Sequence, residues 1–122
     1  ISGKRRVADD YDLWLRFSAK YRFLYVPEFL AYYRVMDDQI SSDKTRRLDS
    51  NWQIITDFRR DFPDAMSEQE FDAGFAFFHS RRARYLASQC ARREALLEML
   101  KAFRLQPLRP ALWRSLVAVL LR

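Results

Sequence analysis

The stretch Asp9-Asp10-Tyr11-Asp12-Leu13-Trp14-Leu15-Arg16 places three carboxylates within four positions, directly before an apolar run. Carboxylates at a helix start have two uses. Their oxygens can cap exposed backbone N–H groups. They can also stay ionised there, because the positive end of the macrodipole favours anions, and an ionised carboxylate is what a general base needs. Capping is the commoner use, so Asp9 reads as an N-cap, with Asp12 in the place a capping box gives to Glu. Arg16 follows Asp12 by one turn, the spacing of an intrahelical ion pair. Trp14 has two readings, a core anchor or a flat platform for a sugar ring, and the core is the commoner home of a Trp. A second stretch, Phe23 to Arg34, ends in Tyr32-Tyr33-Arg34, whose Arg is either a strand-end charge or a group aimed at an anion.

These side chains need elements to hold them. Leu13, Trp14, Phe17 and Tyr21 recur at helical spacing, which predicts a helix ending near Lys20, a cation suited to the negative end of the macrodipole. Phe23 to Val35 is rich in aromatic and branched residues but interrupted by Pro27-Glu28, so it reads as two short extended pieces. Asp37-Asp38-Gln39 is a turn, and Ser41 or Ser42 can cap the next helix. That helix carries Leu48, Trp52, Ile55, Phe58 and Phe62 as an amphipathic stripe, and Pro63 stops it.

Ser67-Glu68-Gln69-Glu70 is a capping box. The helix behind it has Phe71, Phe75, Phe78 and Tyr85 on one face and Ala73, Phe77 and Leu86 elsewhere, as a helix buried between neighbours would. Gly74 costs about 1 kcal/mol against Ala in such a helix, which suggests a close helix crossing. His79 lies among phenylalanines and reads as structural. A further helix over residues 92–105 points Ala95, Leu96, Met99, Leu100 and Phe103 inward, and Gln106-Pro107 ends it. The hairpin from Ala83 to Pro107 resembles one tetratricopeptide unit; a single copy makes no solenoid, so it is a packing solution. Pro110 opens a last helix whose Leu112, Trp113, Leu116, Val117, Leu120 and Leu121 are flanked by Arg109, Arg114 and Arg122. It is too short to span a bilayer; it either closes the helical bundle or lies in a membrane interface.

With 122 residues, 49% hydrophobic and 16% aromatic, the chain has material for a single small domain with a real core. Two glycines leave no room for a Gly-rich phosphate loop. The single cysteine, Cys90, excludes an internal disulfide and a two-Cys metal motif, and fits a reducing compartment. The net charge of +6 comes largely from arginines in pairs, such as Arg59-Arg60, Arg81-Arg82 and Arg92-Arg93. Such a surface attracts anions, although paired arginines are commonly just solvated helix faces. No signal peptide is legible, and the absent initiator Met suggests a segment of a longer protein.

Taken together, Asp10-Tyr11-Asp12-Leu13-Trp14-Leu15-Arg16 followed by Tyr25-Val26-Pro27-Glu28-Phe29-Leu30-Ala31-Tyr32-Tyr33-Arg34 resembles the C-terminal part of the catalytic domain of family-2 glycosyltransferases. The first of these stretches is identical to the family's common form over seven positions. The resemblance covers about residues 3–45 and implies a GT-A parentage. Residues 1–45 would be the acceptor and base side of an α/β catalytic domain, and residues 46–122 a helical tail. The helical patterns themselves predict that this chain is mainly α, a helical bundle with a short β segment, and the resemblance makes it the C-terminal fragment of such an enzyme. Asp10 would be the catalytic base and Asp9 would stand in the place of the family's Glu. Arg34, Asp12, Trp14 and Arg16 would line the substrate site, with Arg34 orienting Asp10 or meeting phosphate.

The reaction implied is transfer of a sugar from a nucleotide-sugar donor to an acceptor hydroxyl, with inversion, in cell-surface polysaccharide or glycolipid synthesis. It uses Mg²⁺ or Mn²⁺ in the full-length enzyme. Met36 departs from the family, which often has a metal-site His there; a thioether is a soft ligand for so hard an ion. The family's nucleotide-binding half and its DxD motif would lie upstream, so this piece alone is expected to be inactive. Implied partners are the nucleotide sugar, the acceptor, the missing N-terminal half and a second copy covering the exposed apolar face as a homodimer. The implied location is cytoplasmic, with peripheral contact at the inner membrane face through the last helix.

The competing reading is a basic helical interaction module binding protein or nucleic acid. Nucleic acid is disfavoured, because the aromatics fall at core spacing and no helix-turn-helix or stacking-sheet motif is present.

Overall fold

The computed structural model describes residues 8–33 and 43–121. Its regular elements are α1 (Asp9–Ser18), α2 (Lys44–Asp61), α3 (Glu68–Ser88), α4 (Arg92–Leu105) and α5 (Pro110–Leu120). The chain is therefore mainly α. It forms two compact units divided between Ala65 and Met66. This boundary groups α2 with α1, whereas the sequence expectation placed residues 46–122 together.

In the first unit, Ala8 rather than Asp9 is the N-cap of α1, and no side chain caps it. Asp9, Asp10 and Asp12 all sit inside the first turn, where they complement the macrodipole. The expected capping box is thus absent. α2 is capped by Asp43, whose carboxylate accepts from the Arg46 N–H at 3.0 Å; the expected caps Ser41 and Ser42 lie outside the described residues. Ile54 and Phe58 are the buried residues of α2, and Phe58 stacks on Phe62 with centroids 5.4 Å apart. Ile54, one residue from the expected stripe at Ile55, is the better-buried isoleucine.

The short β segment is not found. Among the described residues none is in a strand, and residues 21–33 run without regular structure. Leu24, Tyr25, Phe29 and Tyr32 are almost wholly exposed. Their residue types favour strand, but β propensity measures packing on a neighbouring surface. A segment with no ladder partner gains nothing from extension and leaves its backbone to water.

In the second unit, α3 starts on the expected capping box. The Ser67 N–H donates to Glu70 Oε2 at 2.8 Å, and the Glu70 N–H donates to Ser67 Oγ at 3.3 Å. α3 and α4 pack most extensively, and α5 lies against both. Ala76, Ala83 and Ala87 of α3 meet Ala95, Met99 and Ala102 of α4, with Leu112 and Val119 of α5 closing the cluster. The expected small-residue hairpin is therefore present, followed by a helix with Pro110 in its first turn.

Two expectations in this unit fail. A Cβ built on Gly74 meets nothing within 4 Å, so no helix crosses there. Leu96 and Leu100 face outward, 40% and 56% exposed, while Glu98 takes a buried position on α4. The α3–α4 turn is a Schellman motif: the Ala91 N–H donates to the Leu86 carbonyl at 3.0 Å and the Cys90 N–H to that of Ala87 at 3.1 Å. Cys90 occupies its left-handed position, at φ 59°.

Candidate functional site

α1 sorts its polar side chains by helical spacing. Asp12 and Arg16, one turn apart, bind each other, Nε to Oδ1 at 3.0 Å. Arg16 also reaches Asp61 of α2, Nη1 to Oδ2 at 3.2 Å, with its guanidinium carbon 5.8 Å from the Phe62 ring centroid. Asp61 in turn accepts from Arg60 Nε at 2.9 Å, and Arg60 pairs with Asp57 at 3.0 Å. Partial burial opposes the charge of Arg16, but the hydrogen bonds and charges of Asp12 and Asp61 outweigh it and raise its pKa. The hydrogen bond from Arg60 leads the causes that hold Asp61 below the usual carboxylate range. Arg16, held by Asp12, thus fastens α1 to α2.

Asp10 and Trp14 are also one turn apart, on a different stripe of α1. Asp9 and Asp10 are exposed, and among the described residues no basic side chain forms an ion pair with either. Asp10 Oδ1 accepts from the neighbouring Tyr11 N–H at 2.9 Å. Trp14 is 54% exposed, so it is not the core anchor that its type suggests. Edge-to-face contacts with Phe17 and Phe23, each at 6.0 Å, hold its ring, and Phe17 meets Tyr21 in the same way. The result is a solvent-facing carboxylate one turn from an aromatic ladder. Burial raises the Tyr11 phenol above its ordinary value, so it remains protonated at neutral pH.

Arg34, Met36, Asp37 and Asp38 lie outside the described residues. No group of three His, Cys, Asp or Glu side chains among the described residues is placed to hold a metal ion.

A second polar cluster lies between α3 and α4. His79 Nδ1 is 2.7 Å from Glu98 Oε2, and Lys101 Nζ donates to Glu98 Oε1 at 2.7 Å. His79 and Glu98 are both buried. Burial pushes the Glu98 carboxyl up, but the hydrogen bonds from Lys101 and His79 outweigh this and hold it below the usual range. His79 is structural, as its setting among phenylalanines suggests. Glu98 was not singled out in the sequence; its spacing of three residues before Lys101 was the available signal.

Comparison with family models, with curated proteins and with solved structures finds no match to this chain. No helix among the described residues is long and apolar enough to cross a membrane.

Proposed function

We propose that the chain is the acceptor side of an inverting glycosyltransferase, with Asp10 as its general base and Trp14 as its acceptor platform. The observation that carries this reading is the division of α1 into two stripes. Asp12 is paired with Arg16, which reaches α2, while Asp10 and Trp14 are exposed on one face. The identity of residues 10–16 to the common family-2 form supports the same assignment.

Asp10 takes the proton of the acceptor hydroxyl as that oxygen attacks the anomeric carbon of the donor. The bond from that carbon to the diphosphate breaks, its electron pair leaves with the nucleoside diphosphate, and the configuration inverts. Asp10 lies in the first turn of α1, at the end of the macrodipole that favours an anion. The exposed face of Trp14 stacks on the apolar face of the acceptor sugar. Asp9 supports the anionic turn beside the base. Arg34 meets the donor phosphate, and the donor itself is bound by an upstream nucleotide-binding half.

The test is steady-state transfer by the protein carrying both halves. Trp14→Ala raises KM for the acceptor while leaving donor binding unchanged. A Trp14→Ala enzyme with an unaltered acceptor KM, or a product of retained configuration, overturns the assignment.

A further inference from the structure

We infer that α4 and α5 together form a surface that docks on an anionic phospholipid membrane. The surface is independent of the carboxylate site on α1 and lies wholly within the second unit.

α5 is apolar on two sides. Leu112, Ser115 and Val119 are buried in the helical cluster. Trp113, Val117 and Leu120, on the adjacent stripe, are 56%, 55% and 61% exposed. α4 repeats this pattern, since Ala95, Met99 and Ala102 are buried while Leu96 and Leu100 are exposed. The two exposed stripes adjoin, because Phe103 of α4 meets Trp113 of α5 with ring centroids 4.8 Å apart. A continuous apolar face of this kind, spanning two helices, is the sort that marks an interaction site.

Charge selects the occupant. At about 100° per residue, Arg93 and Arg104 border the Leu96–Leu100 stripe, and Arg114 borders that of Trp113 and Val117; all three are exposed. α5 contains no acidic residue, and the two on α4, Glu94 and Glu98, lie on its other side, Glu98 being buried and paired with Lys101. Apolar side chains flanked only by arginines, with a Trp among them, match a surface of anionic headgroups over hydrocarbon. Trp113 seats at the headgroup level, where its ring is favoured at an interface, and the arginines meet phosphate while their stems cover apolar surface.

The experiment is co-sedimentation of the full chain with phosphatidylcholine vesicles that contain or lack phosphatidylglycerol, with circular dichroism of every variant. The chain binds the anionic vesicles, and binding falls as salt rises. Arg104→Gln and Arg114→Gln each weaken it about fivefold. Trp113→Ser with Val117→Ser abolishes it with the helical signal intact, since both positions are more than half exposed. The inference is overturned if the chain binds neither vesicle, if it binds neutral vesicles equally, or if neither set of variants alters binding. It is also overturned if sedimentation shows a dimer that the Trp113→Ser, Val117→Ser variant dissolves, or if the same arginines serve tighter binding to duplex DNA.

Discussion

Arg16 donates to Asp12 within its own helix at 3.0 Å and to Asp61 on the next helix at 3.2 Å, so one guanidinium joins α1 to α2. The consequence is that residues of one short motif do different work. Arg16→Met should loosen α1 from α2, seen as faster hydrogen exchange in residues 9–18 with α3 to α5 unchanged. Both partners are partly exposed, so the effect is modest, and it should shrink further in about 1 M salt, where the Debye length is roughly 3 Å.

Cys90 holds a left-handed conformation at φ 59°, in the position where a Schellman motif prefers glycine. Cys90→Gly should stabilise the helical unit by about 1 kcal/mol through relief of that strain. Gly74, with open space around its missing Cβ, offers the complementary case: Gly74→Ala should also gain up to about 1 kcal/mol. Urea midpoints of the two variants check both. A lowered midpoint for Cys90→Gly or for Gly74→Ala would contradict the corresponding prediction.

The Glu98 carboxyl is held low by Lys101 and His79 against the opposing effect of burial. A group whose pKa is depressed in the fold contributes stability that is complete above its unfolded value. That stability is lost as pH falls through the folded value. The helical unit should therefore weaken in acid, below the ordinary carboxylate range, and Glu98→Gln should flatten this slope. Thermal melts of both proteins over the acid range supply the check. Identical pH slopes would remove Glu98 as the source.

Met99 and Leu112 are almost completely buried in the cluster that joins α3, α4 and α5. Truncating either to Ala should cost about 2–5 kcal/mol, as large-to-small core changes do. Leu97→Ala, at a position 58% exposed, should cost little. Denaturant midpoints of the three variants test this ranking.

The helices were legible because their signals are local. The Ser67–Glu70 box, Pro63 and Pro110 each act within one turn, and each appears where the sequence places it. The failures share a different cause. The type of Trp14 suggested burial, and those of Leu24 and Tyr25 suggested strand, but both outcomes need a partner surface that a residue's own type does not supply. The outward turn of Leu96 and Leu100 followed from Glu98 taking an inward position, which His79, nineteen residues away in sequence, makes possible. Cys90 ends a helix without the glycine that would have announced it. For the candidate site, the clustering of carboxylates was legible, but the split between Asp10 and Asp12 was not, because it depends on Asp61, which lies 45 residues from Arg16.

On the proposed reading the donor half lies outside these residues, so the chain alone should transfer no sugar and bind no nucleotide sugar tightly. Calorimetry with a panel of nucleotide sugars checks this. Micromolar binding to the isolated chain would place the donor site within these residues and displace the proposed division of labour.

The most direct measurement compares Asp10→Asn with Asp12→Asn in the protein that carries both halves, under conditions where chemistry limits turnover. Asn keeps the shape of Asp and can still accept a hydrogen bond, yet it is far too weak a base to take the acceptor proton. Asp10→Asn should leave the fold and donor binding intact while lowering kcat by a factor on the order of 10²–10⁴. Asp12→Asn should loosen the Arg16 link and spare most of the rate. Retention of more than about a third of wild-type turnover by Asp10→Asn, far outside the loss expected for a removed base, would contradict the account.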